Sequence, residues 1–458
     1  MLNIDTETNE IEAYDTECMS ENSDNYKIST NTDINSYSYQ CLTVDTKKTL
    51  SIYSEIRRYH IINGLNEYFQ LKLNKLDKSK YNVNELFRNS SSKLIELINR
   101  WCWHQYNNSS CMDDVIPYVN DGKYDYTRFT DDLNYILDTY GKPNQIKIDD
   151  LIIVELKETI NNYLKVEYYK FSNLETIKLN IIKETNDKKI RLSCDYKSNI
   201  YQVLIHSKVY NRLKMKLIMF GKKYEIMKDY MDNLDNLLDE YIFCLTFRYS
   251  YMDSGNQQLA ISHYIKDMFR KYNVNFELFG SAINTVSDNY CSLFYDIEKY
   301  FGSNGNFFDI QIDSGIYWCN PPYDDTIMLN TARKLVDTLK TNNQVAFLVT
   351  IPIWDVYTQN RIKNDNIENI RRNYNTKTTP ELHTDFQIYS LLKPYIKDEL
   401  IIPKHRIPYF NYKKYSHINA VNTYMLIVYN SIDNEISSNL HNNFTKIVDL
   451  DKMNFFIK

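Results

Sequence analysis

The apolar run 316–319 stops at Asn320-Pro321-Pro322-Tyr323, and that stop constrains the fold more than any other stretch of the chain. Proline has no backbone N–H and fixes φ at about −65°, so two in a row let neither a helix nor an interior strand continue. The residue before a proline avoids the α region, which keeps Asn320 extended. A short buried strand opening into a stiff turn is therefore predicted. The same turn has chemical use. An exocyclic amine on a purine is a weak nucleophile, because its lone pair is conjugated into the ring. The Asn320 side-chain oxygen and the Pro321 carbonyl can each accept one of its two N–H bonds, which localises the lone pair and aims it at a methyl donor held in line. Pro322 stiffens the turn, and Tyr323 offers a face on which a flipped base stacks. Asn-Pro is also a common turn dipeptide, so the four residues alone leave an idle turn open.

From about residue 251 onward, strands alternate with helices. Residues 275–279 predict a strand closing at Gly280, 316–319 the strand before the prolines, and 344–350 an apolar, β-branched strand ending at Ile351-Pro352. Met328, Ala332, Leu335, Val336 and Leu339 share one helical face between the last two. Stretches 400–402 and 423–429 are the final strand candidates. This alternation predicts an α/β domain over 251–458 with a largely parallel sheet, whose ligands sit at strand C-terminal ends. Residues 46–250 read as a mostly helical domain. Ile52, Ile56, Tyr59 and Ile62 mark one amphipathic segment, Leu94 to Ile98 another ending at Trp101, and 205–247 is helix-compatible throughout. Short strands fit within 190–209. Residues 1–45 carry Asp5, Glu7, Glu10, Glu12, Asp15, Glu17, Glu21 and Asp24 before the first basic residue, Lys27, and predict a disordered acidic tail.

The 458 residues suit two domains plus tails, and 43% hydrophobic content is enough for sizeable cores. The negative mean hydropathy and the absence of a membrane-length apolar run predict a soluble protein without membrane contact. No basic-then-apolar leader is visible. The eight cysteines (18, 41, 102, 111, 194, 244, 291 and 319) show no paired spacing and no accompanying His pair, so no metal site is expected. Idle thiols predict a reducing, intracellular compartment, with nucleus and cytoplasm, and viral and cellular origin, unresolved. The net charge of −5 excludes a uniformly basic nucleic-acid binder. Locally, however, Lys393, Lys397, Lys404, Arg406, Lys413 and Lys414 outnumber Asp398 and Glu399, as either a phosphate-facing patch or a solvated face. The 41 tyrosines fit an A+T-rich coding sequence and carry no functional reading.

A cofactor turn is expected after the first strand of the α/β domain, at Phe279-Gly280-Ser281-Ala282-Ile283-Asn284. Gly280 and the small residues after it would let backbone approach a ligand, although an ordinary strand-to-helix turn reads the same way. Asp325 lies two residues past the tetrad at a helix start, either against substrate or as a cap or dipole partner. Trp354 follows 351–353, placed to stack a base or a purine cap or to fill the core. Trp101 and Trp103 read as core.

In chain order, Arg248-Tyr249-Ser250-Tyr251, Gln258-Leu259-Ala260, the 279–284 turn, Tyr290-Cys291-Ser292, Tyr300-Phe301-Gly302-Ser303 with Gly305, Asp309 and the tetrad resemble the methyltransferase family named for the phosphorylated CTD-interacting factor. Ile351-Pro352 with Trp354, 400–409 and 419–430 continue the likeness more weakly. The resemblance covers a little under half the chain. It implies a Rossmann-like, S-adenosylmethionine-dependent methyltransferase domain preceded by a mostly helical domain that contributes to RNA binding. The implied activity is methylation of the adenosine N6 amine beside an mRNA cap. Phe279, Gly280, Ser281, Ile283, Asn284, Asn320 and Tyr323 would hold the cofactor, and Asn320, Pro321, Pro322 and Tyr323 would do the chemistry. By position, Asp325, Trp354, His405, Arg406 and Ile407 match family positions that contact capped RNA. Tyr323 stands where animal relatives carry Phe. Those relatives also have an N-terminal WW module. The first segment here offers no room and no paired tryptophans, so a chain lacking the WW module is expected, and docking to the RNA polymerase II tail is not implied. Two alternatives stay open: methylation of adenine in DNA or uncapped RNA, or of a protein glutamine; and a non-catalytic RNA-binding subunit.

Overall fold

The computed structural model describes residues 38–41, 50–74, 95–105, much of 111–133, 150–172, 177–221, 234–253, parts of 259–266, 274–353, 384–402, 409–418, 421–432 and 437–442, apart from isolated positions. Along the chain the elements are β1 (Ser38–Cys41), α1 (Ile52–Asn74), α2 (Asp150–Ser172), β2 (Ile182–Thr185), β3 (Lys189–Tyr196), β4 (Asn199–His206), α3 (Ser207–Gly221) and α4 (Leu234–Tyr251). There follow β5 (Ala260–Ile261), β6 (Phe276–Glu277), β7 (Asn289–Tyr290), α5 (Tyr295–Glu298), β8 (Ile310–Cys319), α6 (Asp325–Thr341) and β9 (Val345–Pro352). The last are α7 (Thr384–Leu392), β10 (Ile396–Ile402), β11 (Tyr409–Asn411), β12 (Ser416–Ile418) and β13 (Thr423–Tyr429). No described helix is long and apolar enough to cross a membrane. Two compact units result.

The first unit comprises Met1–Val44, Asn256–Ser292 and Gly302–Lys458. Its main sheet has the order β10-β13-β9-β8-β6-β7, with β1 added along β8. The pairs β6–β7, β6–β8 and β8–β9 are parallel. In contrast, β13 runs antiparallel to both β9 and β10, and β1 antiparallel to β8. The sheet is thus mixed, where a largely parallel one was expected. An unbroken apolar run such as β13 tells that both its faces are buried but not which way it points. A second small sheet, β12-β11-β5, was not anticipated.

Alternate side chains of the main sheet enter opposite layers. Tyr317, Cys319, Phe347, Val349, Leu426 and Val428 meet Met328, Ala332, Leu335 and Leu339 of α6 and Ile388 and Leu392 of α7. Trp318, Ala346, Leu348, Met425 and Ile427 meet Ile261, Ile265, Tyr409 and Ile418 on the other face. Each fully buried Val, Leu, Ile, Phe or Met among them contributes about 1.5–3 kcal/mol by leaving water. β8 begins at Ile310, six positions before the apolar run, because its first half alternates: Ile310 and Ile312 are buried while Gln311 and Asp313 are exposed. β1 pairs with that half, so part of the segment read as an acidic tail is a strand. The rest of residues 1–45 lies outside the described residues.

The second unit comprises Asp45–Gly255 and Leu293–Phe301. Helices α1, α2 and α4 pack together beside an antiparallel sheet, β2-β3-β4. Within the stretch 205–247, the described residues form the end of β4, α3 and the first part of α4, and 222–233 lie outside them. Lys197 and Ser198, at φ 48° and 63°, form the two-residue turn that joins β3 to β4. Trp101 and Trp103 are buried, Trp101 stacked on Tyr126 at 5.2 Å. Charge is also buried. Arg248 is fully enclosed and clasps Glu55 through Nε (3.1 Å) and Nη2, while its Nη1 reaches Asp296 at 2.5 Å. Arg58 donates to Glu55 at 2.6 Å and to Asp113 at 3.0 and 3.2 Å, and Tyr251 donates to Glu55 at 3.0 Å. Asp296 gives the short segment Leu293–Phe301 its ionic tie to this unit.

Candidate active site at adjacent strand ends

Chain order and sheet order disagree around β6. The chain builds outward from β6 to β7, then returns to the other side of β6 as β8. At such a switch point the turns leaving the two strands diverge and leave a crevice above their C-terminal ends. The Leu278 N–H donates to the Trp318 carbonyl at 2.8 Å, so turn 279–284 and the Asn320–Tyr323 tetrad leave the sheet side by side.

Asn320 is buried, and its amide is held from two directions. Its Oδ1 accepts from the Thr350 hydroxyl at 2.8 Å and from the Tyr323 hydroxyl at 3.4 Å. Thr350 comes from the neighbouring strand β9, fully buried. The Pro322 carbonyl accepts from the Asp324 N–H at 2.7 Å, closing the turn. Tyr323 is half-buried, edge-on to Tyr409 at 6.0 Å and 81°. Its hydroxyl meets that of Tyr409, which meets the Thr423 hydroxyl at 2.6 Å. Burial pushes the Tyr323 phenol well above its usual value, with Tyr409 adding to the effect, and burial pushes Tyr409 up to about 12. Both stay neutral at physiological pH. Burial likewise raises the Cys319 thiol, which removes it as a nucleophile.

The helix cap weighed for Asp325 belongs to its neighbour. Asp324 accepts from the Thr326 and Ile327 N–H groups at 3.0 and 3.1 Å, and Asp325 is the half-exposed first residue of α6, suited to the helix dipole.

At the other strand end, Phe279, Gly280 and Asn284 are half-exposed, whereas Ser281 and Ile283 are buried. The Ser281 N–H donates to Asn284 Oδ1 at 3.0 Å, and the Asn284 and Thr285 N–H groups return to the Ser281 carbonyl at 3.1 and 2.8 Å. Gly280 donates to the Cys291 carbonyl at 2.8 Å. A Cβ on Gly280 would meet Tyr290 Cβ at 3.3 Å and Glu277 Oε2 and Thr285 Cβ at 3.4 Å, so a side chain there would crowd the protein's own packing. Beneath the turn, Glu277 accepts from Lys266 at 2.6 Å and from the Thr285 hydroxyl at 2.7 Å, all three buried. Phe279 packs on Phe307 at 4.8 Å.

The structure thus brings Asn320, Pro321, Pro322, Tyr323 and the 279–284 turn to adjoining strand ends, with Asp325 one turn onward. Trp354, His405, Arg406 and Ile407 lie outside the described residues, as do Lys404 and Lys414, while Lys393, Lys397 and Lys413 are exposed. Sequence reasoning missed Thr350, Tyr409, Thr423 and the Glu277–Lys266 pair. The one available signal was a lone Thr near the end of an otherwise apolar strand.

The fold is mixed α/β, and the candidate residues lie at the ends of adjoining parallel strands. A sequence-family profile described as "Phosphorylated CTD interacting factor 1 WW domain" matches residues 214–380. Proteins named mRNA (2'-O-methyladenosine-N(6)-)-methyltransferase, from Mus musculus and from Homo sapiens, are each 31% identical to this chain over 121 residues. That alignment covers 25% of this chain and 17% of each relative. Part of the chain is therefore similar to mRNA adenosine N6-methyltransferases. The profile match overturns one expectation. A chain lacking the WW module was expected from the composition of the first segment, yet the profile carrying that description falls on 214–380, a region read instead as helix and methyltransferase sheet. The ground for setting aside docking to the RNA polymerase II tail falls with it.

Proposed function

We propose that this chain is an S-adenosylmethionine-dependent methyltransferase of Rossmann-like fold that acts on the N6 amine of adenosine, at the first transcribed nucleotide of capped mRNA. The observation that carries the reading is the buried Asn320 amide, held by Thr350 at the C-terminal end of β8 beside the sheet's switch point. An idle turn has no use for a constrained buried amide there. The activity for which the two relatives are named supports adenosine N6 in mRNA as the acceptor.

The residues fit the cofactor in kind. Phe279 and Tyr323 present partly exposed aromatic surface at neighbouring strand ends, and the Glu277 carboxylate behind the turn is neutralised by Lys266. Phe279, Gly280 and Asn284 would hold it, with Ser281 and Ile283 shaping the turn from within. When bound, S-adenosylmethionine supplies a methyl group on a positively charged sulfur, open to displacement by an amine. The protein's part is positioning. Asn320 Oδ1 and the Pro321 carbonyl accept the two N–H bonds of the amine and set the nitrogen lone pair in line. Thr350 keeps the Asn320 amide in the accepting orientation. The Tyr323 ring lies against the base. Asp325, with Trp354, His405, Arg406 and Ile407, would contact the capped RNA, and the helical unit would contribute to its path.

Methyl transfer to capped RNA starting with adenosine, measured beside uncapped RNA, duplex DNA and a glutamine peptide, tests the acceptor. Preference for the capped RNA is expected, and preference for another acceptor replaces the reading. Asn320→Ala should lower the rate at least about tenfold, the loss of one transition-state hydrogen bond. Near-normal activity in a folded variant refutes the assigned role. Absence of both cofactor binding and turnover would favour a non-catalytic RNA-binding subunit.

A further inference from the structure

We infer that Tyr323, Tyr409 and Thr423 form a reversible hydroxyl chain that yields Asn320 Oδ1 to the acceptor amine, making Tyr409 and Thr423 positioning residues for the reaction. The inference rests on the proposed function and adds a device to the same site.

An amide oxygen has two acceptor positions. In this structure the Thr350 hydroxyl takes one at 2.8 Å, and the Tyr323 hydroxyl takes the other at 3.4 Å. An incoming amine needs one of them. Thr350 reaches the Cys319 carbonyl only at 3.4 Å against 2.8 Å to Asn320, so the more readily displaced donor is Tyr323, whose contact with Asn320 is the longer at 3.4 Å. A phenol has a single proton, and here it has a second destination: the Tyr409 oxygen, also within hydrogen-bond reach.

Two orientations of the chain follow. In one, Thr423 donates to Tyr409, Tyr409 to Tyr323, and Tyr323 to Asn320. In the other, Tyr323 donates to Tyr409, Tyr409 to Thr423 at 2.6 Å, and Thr423 to the Val421 carbonyl at 3.3 Å. The second orientation ends on a backbone acceptor and leaves no donor unpaired, so reversal costs little. Tyr409 and Thr423 are both fully enclosed, so water does not substitute for either link. Both phenols hold their protons at neutral pH, because burial raises them. The chain therefore changes direction without losing charge. A phenylalanine in the fourth tetrad position would keep the ring but abolish the switch.

The Tyr323 hydroxyl also has Thr423 within hydrogen-bond reach, so Tyr409→Phe combined with Thr423→Val removes both other destinations and leaves Tyr323 donating to Asn320 in competition with substrate. The KM for capped, adenosine-starting RNA should then rise about threefold to tenfold, the span of one net hydrogen bond, with kcat within about twofold of wild type. Adding Tyr323→Phe in that background removes the competing donor and should lower KM again by about threefold or more relative to that background. A merely structural role for Tyr409 predicts no such rescue. Tyr409→Phe and Thr423→Val alone, each leaving one destination, should give smaller rises with the same reversal by Tyr323→Phe, and Thr423→Val serves alone if Tyr409→Phe does not fold. An unchanged KM in the variant carrying both Tyr409→Phe and Thr423→Val (in Thr423→Val where Tyr409→Phe does not fold), or no reversal on adding Tyr323→Phe, overturns the inference. Wild-type protein that turns over no adenine acceptor overturns the functional reading itself, whereas active wild type with a flat KM series overturns only the hydroxyl chain.

Discussion

Thr350→Val is the sharpest test of how the site is held. The substitution keeps the branched shape inside β9 and removes only the hydroxyl that donates to Asn320 Oδ1 at 2.8 Å. A buried hydrogen bond contributes a net ~0.5–1.5 kcal/mol, and a buried acceptor deprived of its donor costs about 1–3 kcal/mol. The Tyr323 hydroxyl remains 3.4 Å from the same oxygen, which puts the loss toward the lower end. A stability decrease of about 1 kcal/mol should lower the melting temperature by about 2–4 °C in a unit of this size. The effect on rate is larger in proportion, because the amide is then free to turn. If the lost contact is what selects the accepting rotamer, about 1.4 kcal/mol of positioning is forfeited, which is tenfold in rate.

Single-turnover transfer of labelled methyl groups to capped RNA reads the chemical step, with thermal melts in parallel. Thr350→Ser keeps the donor and loses a methyl group, so it should melt lower while retaining most of the rate. The reasoning fails if Thr350→Val transfers methyl at the wild-type rate. It also fails if Thr350→Ser is as slow as Thr350→Val, because packing and not the hydroxyl would then set the amide.

Gly280→Val should destabilise the sheet unit by about 1–3 kcal/mol through overpacking, since even its Cβ would stand 3.3 Å from Tyr290 Cβ; a melting curve identical to wild type refutes the account of that glycine. Burial alone would raise the Glu55 carboxyl, but the Arg248 and Arg58 guanidinium groups outweigh it and hold the carboxyl below its usual range. A carboxyl depressed in the folded state contributes stability above the unfolded value of about 4.3 and loses it as pH falls through the folded value. The helical unit should accordingly weaken below about pH 4, and Glu55→Gln should cost about 3–5 kcal/mol at pH 7 while flattening that acid limb; an acid midpoint that does not move refutes it.

Legibility followed how local each signal was. The strand end at Asn320, the face of α6 and the span of β13 were readable, because prolines, a helical apolar period and an unbroken apolar run each declare themselves within a few residues. The first half of β8 was not, since Gln311 and Asp313 break the run that continues from Ile316. Nor was the direction of β13 visible, or the joining of Leu293–Phe301 to the helical unit. Those depend on pairings and on a buried Arg248–Asp296 contact that no window of sequence contains. Gly280 was legible as a position for close backbone approach, and the structure adds a packing reason that the sequence did not carry: a Cβ there would meet Tyr290, Glu277 and Thr285.

The same division runs through the candidate site and bears on what a short motif is worth. Asn320, Pro321, Pro322 and Tyr323 supply the acceptors and the ring, yet an Asn-Pro turn at the surface has the same atoms and no catalytic use. What separates the two is whether the amide has one orientation. Here that is decided by Thr350, thirty positions away, and by a hydroxyl chain that passes from Tyr323 to Tyr409 across 86 positions. A free amide samples several rotamers and both faces, and fixing one of them before the substrate arrives removes that cost from the reaction. On the proposed function, the catalytic power of the tetrad would therefore reside in its neighbours as much as in itself. A chain with these four residues but an aliphatic residue at position 350 should bind an adenine base and methylate it poorly.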